Sequence, residues 1–216
     1  MAEVIYLSNV RLSFPKLIEA SAMADFPNSE KKYGCDFIMR PDHESYKRFM
    51  TEVGKVAVEK WKEHAGTVLQ LIQNDRLKRC YGSGAEKIDK KTMRVLDGYG
   101  DGMMFISANS KEDRPPQMIR PDGTVVDNSN TAERAALARK LYGGCYVNAA
   151  VRPWCQDNQF GRGVRNELIA VQFHTDGDPF GEAPPDLSHV FGAVASAPAA
   201  GAVPGFAPGA KMPWEA

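Results

Sequence analysis

Apolar and polar positions first alternate over Val4–Leu12, where Val4, Tyr6, Val10 and Leu12 share one side and Ser8 interrupts it. A period of two predicts a strand, and Phe14-Pro15 is expected to end it, because proline cannot donate to a ladder. A second strand is expected over Tyr33–Met39, with Tyr33, Cys35, Phe37 and Met39 on one side and Gly34, Asp36 and Ile38 on the other; Arg40-Pro41 closes it. The period then changes. Tyr46, Phe49, Met50, Val53, Ala57, Lys60 and Trp61 recur at three- and four-residue steps and predict a long helix near residues 43–64, with Asp42 as its N-cap. Phe49, Val53 and Ala57 are expected to pack on a sheet, with Trp61 at the core edge.

Residues 73–102 are polar and rich in Gly and Lys, and read as a connection. A third strand follows at Met103–Ala108. Between Lys111 and Asn130, Arg114-Pro115-Pro116 and Pro121-Asp122-Gly123 set two turns. A short helix is expected over Ala132–Leu141, capped by Thr131 and stopped by Gly143-Gly144. The last strands are Cys145–Trp154 and Arg165–Phe173, an antiparallel hairpin joined by a long basic loop. Beyond Phe173 the chain reads as linker, dominated by Ala, Pro and Gly. The pattern predicts a mainly β fold with helices: a small barrel of about five strands over 1–178, and a disordered Pro/Ala/Gly-rich acidic tail over 179–216. A parallel dinucleotide-binding sheet does not fit, since no βαβ alternation and no Gly-rich first turn is present.

The strand Cys145–Trp154 carries the most chemistry. Its odd positions, Cys145, Val147, Ala149 and Val151, form an apolar face suited to a core. Its even positions, Tyr146, Asn148, Ala150, Arg152 and Trp154, put two aromatics, an amide and an arginine on the opposite face. A base-stacking surface needs that second set, with rings for bases and a cation for phosphates. Phe160, Arg162 and Arg165 continue it along the hairpin, and Lys111 and Arg114 add charge after the third strand. A purely structural use of the same residues, with Trp154 covering the barrel end and Arg152 paired to Asp157, stays open at this level.

Charge at first argues against a polyanion partner: 27 Lys and Arg balance 27 Asp and Glu. The balance is uneven along the chain. From Thr175 onward five acids face one lysine, a net −4, while the preceding 174 residues hold 26 basic and 22 acidic residues, a net +4. No apolar run is long enough to span a membrane, and no signal peptide is expected. Cys35, Cys80, Cys145 and Cys155 lack CxxC spacing and are expected to be reduced, buried thiols. Gly82-Ser83-Gly84-Ala85-Glu86-Lys87 lacks the GK[ST] ending of a phosphate loop. Asp97, Asp101, Asp113 and Asp122 would be the ligands of a metal-dependent DNA-processing enzyme, although aspartate is also the ordinary turn residue. No cofactor, metal or catalytic residue is expected. A virion or scaffold protein is the other alternative.

Met104-Phe105-Ile106-Ser107-Ala108-Asn109, then Arg114-Pro115, then Leu141-Tyr142-Gly143-Gly144-Cys145-Tyr146-Val147-Asn148, resembles a family of bacteriophage single-stranded DNA-binding proteins, as do Val4–Phe14 and Gly161–Phe173. The resemblance covers about residues 3–180. It implies an OB fold, a five-stranded antiparallel Greek-key barrel that coats single-stranded DNA without sequence preference during replication or recombination. It also implies a non-catalytic role in the cytoplasm of the infected bacterial host. Such proteins often recruit phage or host replication partners through an acidic tail with a hydrophobic tip. Here the tip ends Lys211-Met212-Pro213-Trp214-Glu215-Ala216, so Trp214 and Glu215 are the candidate partner contacts, with one acid and a nearby lysine departing from that pattern.

Overall fold

Two bulges shape the first strand and overturn its simple alternation. In the computed structural model, which describes residues 2–22, 27–100 and 102–181, β1 runs Ile5–Ser21. Its register against a later strand shifts between Leu7 and Val10, and Asn9 takes a φ of 52° there. The extra residue resets the parity, so Ile5, Leu7, Val10 and Leu12 point into the core. Tyr6, expected inward, is 68% exposed. Pro15 does not end the strand either. It falls in a second irregularity between Ser13 and Lys16, beside Phe14 at φ 47°, where the ladder needs no N–H from it.

β2 (Lys32–Met39) follows, then α1 (Glu44–Trp61), whose N-cap is His43 rather than Asp42: its Nδ1 accepts from the Ser45 N–H at 3.1 Å. A short 3₁₀ turn leads into α2 (Ala65–Gln73), a helix absent from the elements expected of the sequence. β3 (Tyr81–Ser83) and a capping box between Ser83 and Glu86 occupy the stretch that superficially resembled a phosphate loop. β4 spans Met104–Lys111, and β5 (Gln117–Ile119) and β6 (Val125–Val126) flank the Pro121-Asp122-Gly123 turn. α3 is Thr131–Ala138, capped by Asn130 rather than Thr131. The chain then forms β7 (Tyr146–Asn158) and β8 (Gly161–Thr175). The expected long loop between the last two strands is thus mostly ladder.

The sheet order is β3-β4-β2-β1-β7-β8-β5-β6, and β4 meets β8 again where Asn109 pairs with Glu167 in parallel. That pairing closes β1, β2, β4, β8 and β7 into a five-stranded barrel with the connectivity of an OB fold. The other barrel pairings are antiparallel. Its interior is filled by Leu7, Val10 and Leu12, by Phe37 and Met39, and by Ile106, Val147, Val151 and Leu168. Phe49, Val53, Ala57 and Trp61 of α1 join this core, as the helical period required. Burying each large side chain contributes about 1.5–3 kcal/mol.

The outer side of β2 and β4 is covered as well. Residues 84–100 fold back over it, and Tyr99 packs with Ile38 and Phe105 in a second small cluster. Asp36, itself buried, anchors this cover: it accepts from Lys87 Nζ at 2.5 Å, Tyr99 Oη at 2.7 Å and Ser107 Oγ at 2.5 Å. Burial pushes the Tyr99 phenol up and keeps it a donor.

Beyond β8 the chain stays attached. Tyr142 Oη donates to the Gly177 carbonyl at 2.9 Å, the Phe180 N–H to the Gly143 carbonyl at 2.9 Å, and Arg11 Nη2 to the Asp178 carbonyl at 2.7 Å. Gly144, at φ 111°, lies so close that a Cβ there would run into the Asp178 carbonyl oxygen. The Tyr-Gly-Gly-Cys-Tyr run therefore clasps residues 176–181, where a linker was expected. Residues 182–216 of the acidic tail, with Trp214 and Glu215, and Asp101 lie outside the described residues.

Candidate nucleic-acid interface

The β7–β8 hairpin builds one wall of the site. Its ladder continues to Asn158 and Gly161, with Gln159 and Phe160 at the turn and Gly161 at φ 94°. The Asn158 side-chain carbonyl accepts from the Phe160 N–H at 3.0 Å and holds the tip. Side chains of one parity on β7, Arg152, Trp154, Gln156 and Asn158, leave the barrel on the same face. Across the ladder Trp154 meets Arg165, and Arg152 meets Glu167.

A second wall comes from the segment before β3. Val164 N–H donates to the Lys78 carbonyl at 2.8 Å, and the Ser107 N–H to the Cys80 carbonyl at 2.7 Å, so residues 78–80 bridge β8 and β4 where they splay apart. Arg165 is fixed in between: Nη1 donates to the Leu77 carbonyl at 2.6 Å and Nε to Gln156 Oε1 at 3.0 Å. The end of β4 and the start of β2 form the third side.

Together these walls enclose an open groove of about 690 Å³. Five cations line it, Lys32, Arg79, Lys111, Arg114 and Arg165, against two carboxylates, Glu30 and Glu167. Glu30 lies 3.1 Å from Lys32 and 3.7 Å from Lys111, and these two lysines hold its carboxyl below the usual carboxylate range. Trp154, 45% exposed, supplies an indole, and Asn109, Gln156 and Asn158 supply amides.

The structure divides the nine candidate residues from the sequence. Lys111, Arg114, Trp154 and Arg165 line the groove. Arg152 stands beside it, its Nη1 3.5 Å from Glu167 Oε2 rather than from Asp157. Phe160, 76% exposed, marks the hairpin tip, and Arg162 there pairs with Asp157 at 3.4 Å. Asp157 also accepts from the Trp61 indole N–H at 3.1 Å, tying the hairpin to α1. Tyr146 and Asn148 lie toward the other end of β7. The Arg11 guanidinium lies 5.6 Å from the Tyr146 ring, and Asn148 accepts from the Asn9 N–H at 2.9 Å and donates to Gln172 at 3.0 Å.

Several groove residues were missed. Gln156 and Asn158 continue the Trp154 parity and were readable had the strand been carried past Trp154. Lys32 pairs across β2 and β4 with Lys111, a register that one sequence does not disclose. Arg79, buried and bonded to Glu86 at 2.6 Å, carried no periodic signal.

Two of the loop aspartates have separate local partners. Asp97 accepts from the Gly181 N–H, and Asp122 from the Thr124 N–H within its turn. Among the described residues no group of three or more His, Cys, Asp or Glu gathers as a metal site. No helix among them is long and apolar enough to cross a membrane.

Comparison with known proteins places this geometry in context. Residues 3–197 match the model of the family described as Enterobacter phage Enc34, ssDNA-binding protein. A curated relative, putative protein p50 of Acyrthosiphon pisum secondary endosymbiont phage 1, is 32% identical over 178 residues, 82% of this chain and 85% of that protein. The fold is shared with the single-stranded DNA-binding protein from bacteriophage Enc34 in complex with ssDNA, at TM-score 0.62 and 24% identity, over 82% of this chain and 89% of that one. It is also similar to gp2.5, a single-stranded DNA-binding protein encoded by bacteriophage T7, at TM-score 0.51 and 12% identity, over 82% of this chain and 95% of that one.

Proposed function

Because the chain belongs to the Enc34 single-stranded DNA-binding protein family, we propose that it binds single-stranded DNA, without sequence preference and without catalysis, in the groove beside the β7–β8 hairpin. The observation that carries this is the groove's lining, an exposed indole among Lys32, Lys111, Arg114 and Arg165. Stacking on an aromatic face works with any base, and Lys and Arg meet the phosphates that every sequence shares. The groove also lies between the β1–β2 and β7–β8 connections of the barrel, the side that OB folds use for oligonucleotides. The candidate DNA contacts are Lys111, Arg114, Trp154 and Arg165, with Arg152, Phe160 and Arg162 along the hairpin and Tyr146 and Asn148 farther along β7. Coating of exposed strands during phage DNA replication or recombination, in the cytoplasm of the infected host, is the role this reading gives the protein, and the family match supports it. The acidic tail beyond the clasped residues 176–181 is a separate unit in this reading, with Trp214 and Glu215 as candidate contacts for replication partners.

The test is a titration of fluorescent oligonucleotides of several sequences at two salt concentrations. Affinities should be alike across sequences and fall with salt at a log–log slope of about −0.7 per phosphate neutralised. Absence of binding at low salt, or metal-dependent cleavage of the oligonucleotide, would overturn the proposal.

A further inference from the structure

Arg79 is a wall shared by two depressions. One is the groove; the other, of about 580 Å³, opens between α1, the turn after α2, and β3. Arg79 does not act there as a free cation. Its Nε donates to the Gln73 carbonyl at 2.7 Å, Nη1 to the Tyr81 carbonyl at 2.5 Å and Nη2 to Glu86 Oε2 at 2.6 Å, so it is a fixed partition.

The second depression has the chemistry of a nucleotide site. Tyr46 and Tyr81, both half-buried, line it with Met50 and Met104. Phe49 meets the Tyr81 ring edge-on at 6.2 Å and 70°, which fixes the plane that ring presents. Burial pushes the Tyr81 phenol up to about 12 and raises that of Tyr46, so both hydroxyls remain neutral hydrogen-bonding groups. Arg76 stands exposed at the rim, using Nη1 on the Glu86 carbonyl at 3.1 Å. Glu86 is the one carboxylate lining the depression, and Arg79 already neutralises it. Two rings, neutral donors and an unopposed guanidinium suit a base with its phosphate, and the volume falls within the range of small-ligand sites.

We propose that this pocket between α1 and β3, built around Tyr46, Tyr81 and Arg76, holds a further nucleotide of the same DNA strand that fills the groove, the strand crossing over Arg79. The proposal rests on the groove being the DNA site. It assigns α1, α2 and β3, which lie outside the five-stranded barrel, a share in setting how many nucleotides one protein covers.

Fluorescein-labelled oligodeoxythymidylates of about 4 to 16 nucleotides, the span of OB-fold site sizes, test it with the full-length protein. The wild type should gain about tenfold in affinity once an oligonucleotide is long enough to pass Arg79. Arg76→Glu, a surface change that leaves the core intact, and Tyr46→Ala should remove that gain while binding the shortest oligonucleotides like the wild type. Variants that keep the full gain with length would overturn the pocket and leave the groove standing. A wild type that binds no oligonucleotide at any length would overturn both.

Discussion

Trp154 stands directly across the β7–β8 ladder from Arg165, and both side chains line one groove. The pairing sets a ring for a base beside a cation for its phosphate, on two strands that cannot slip independently. Arg165 is held on its far side by the Leu77 carbonyl, so the cation is positioned before any ligand arrives.

Trp154→Ala should weaken binding of every oligonucleotide about tenfold, the worth of one stacked base, without changing the order of sequences. Arg165→Ala should cost a similar factor and also lower the salt slope. Fluorescence polarisation at fixed salt reads both. Undiminished affinity in the double variant would move the DNA site away from this groove.

Glu30 opposes phosphate at the mouth of the groove, since Lys32 and Lys111 both lie within 4 Å of its carboxylate. Glu30→Gln frees the two lysines and should tighten binding at low salt by about threefold, with the difference shrinking as salt screens the site. A titration at two ionic strengths checks it, and weaker binding would contradict this placement of Glu30.

Gly144→Ala should destabilise the fold by about 2 kcal/mol or more, because φ is 111° and the added Cβ meets the Asp178 carbonyl. Urea denaturation should show an earlier midpoint, and limited proteolysis should show cleavage within 176–181 that the wild type resists. An unchanged midpoint would mean the clasp contributes little.

Three buried thiols, Cys35, Cys80 and Cys145, and the half-buried thiol of Cys155 give stability a definite pH dependence. Free thiols ionise near 9, whereas burial lifts Cys80 to about 12 and Cys145 and Cys155 to about 11. The folded chain keeps protons that the unfolded chain releases. This contribution is therefore intact below pH 9 and is lost as pH rises through 9 toward 12. Denaturation midpoints at pH 8 and 10.5 should differ accordingly, and Cys80→Ser with Cys155→Ala should flatten the difference.

The legible parts of this fold were those where one periodicity ran unbroken. Phe49, Val53 and Ala57 read as a buried stripe and are one, and the parity of Val147, Ala149 and Val151 against Trp154 holds in the barrel. β1 failed because a bulge at Ser8 and Asn9 exchanges the two faces partway along, and no residue type announces that. α2 went unread between the end of the first helical stripe and the polar stretch from residue 73, though Ala65, Val68 and Ile72 supply its buried side. At the candidate site, Lys111, Arg114, Trp154 and Arg165 came within reach through local pattern. Lys32 and Arg79 did not, because their places depend on strand register and on a side-chain network.

The clasp over residues 176–181 decides where scissors are safe. A chain cut after Asp178 would retain every barrel strand, and strand counting alone would approve it. Yet Phe180 packs against the cluster of Ile38, Tyr99 and Phe105, and its ring lies 4.5 Å from the Arg11 guanidinium. Such a cut would open that cluster to water, and a loss of solubility or stability would then be misread as a property of the missing tail. A trimmed protein that reports on the tail alone has to keep Gly181.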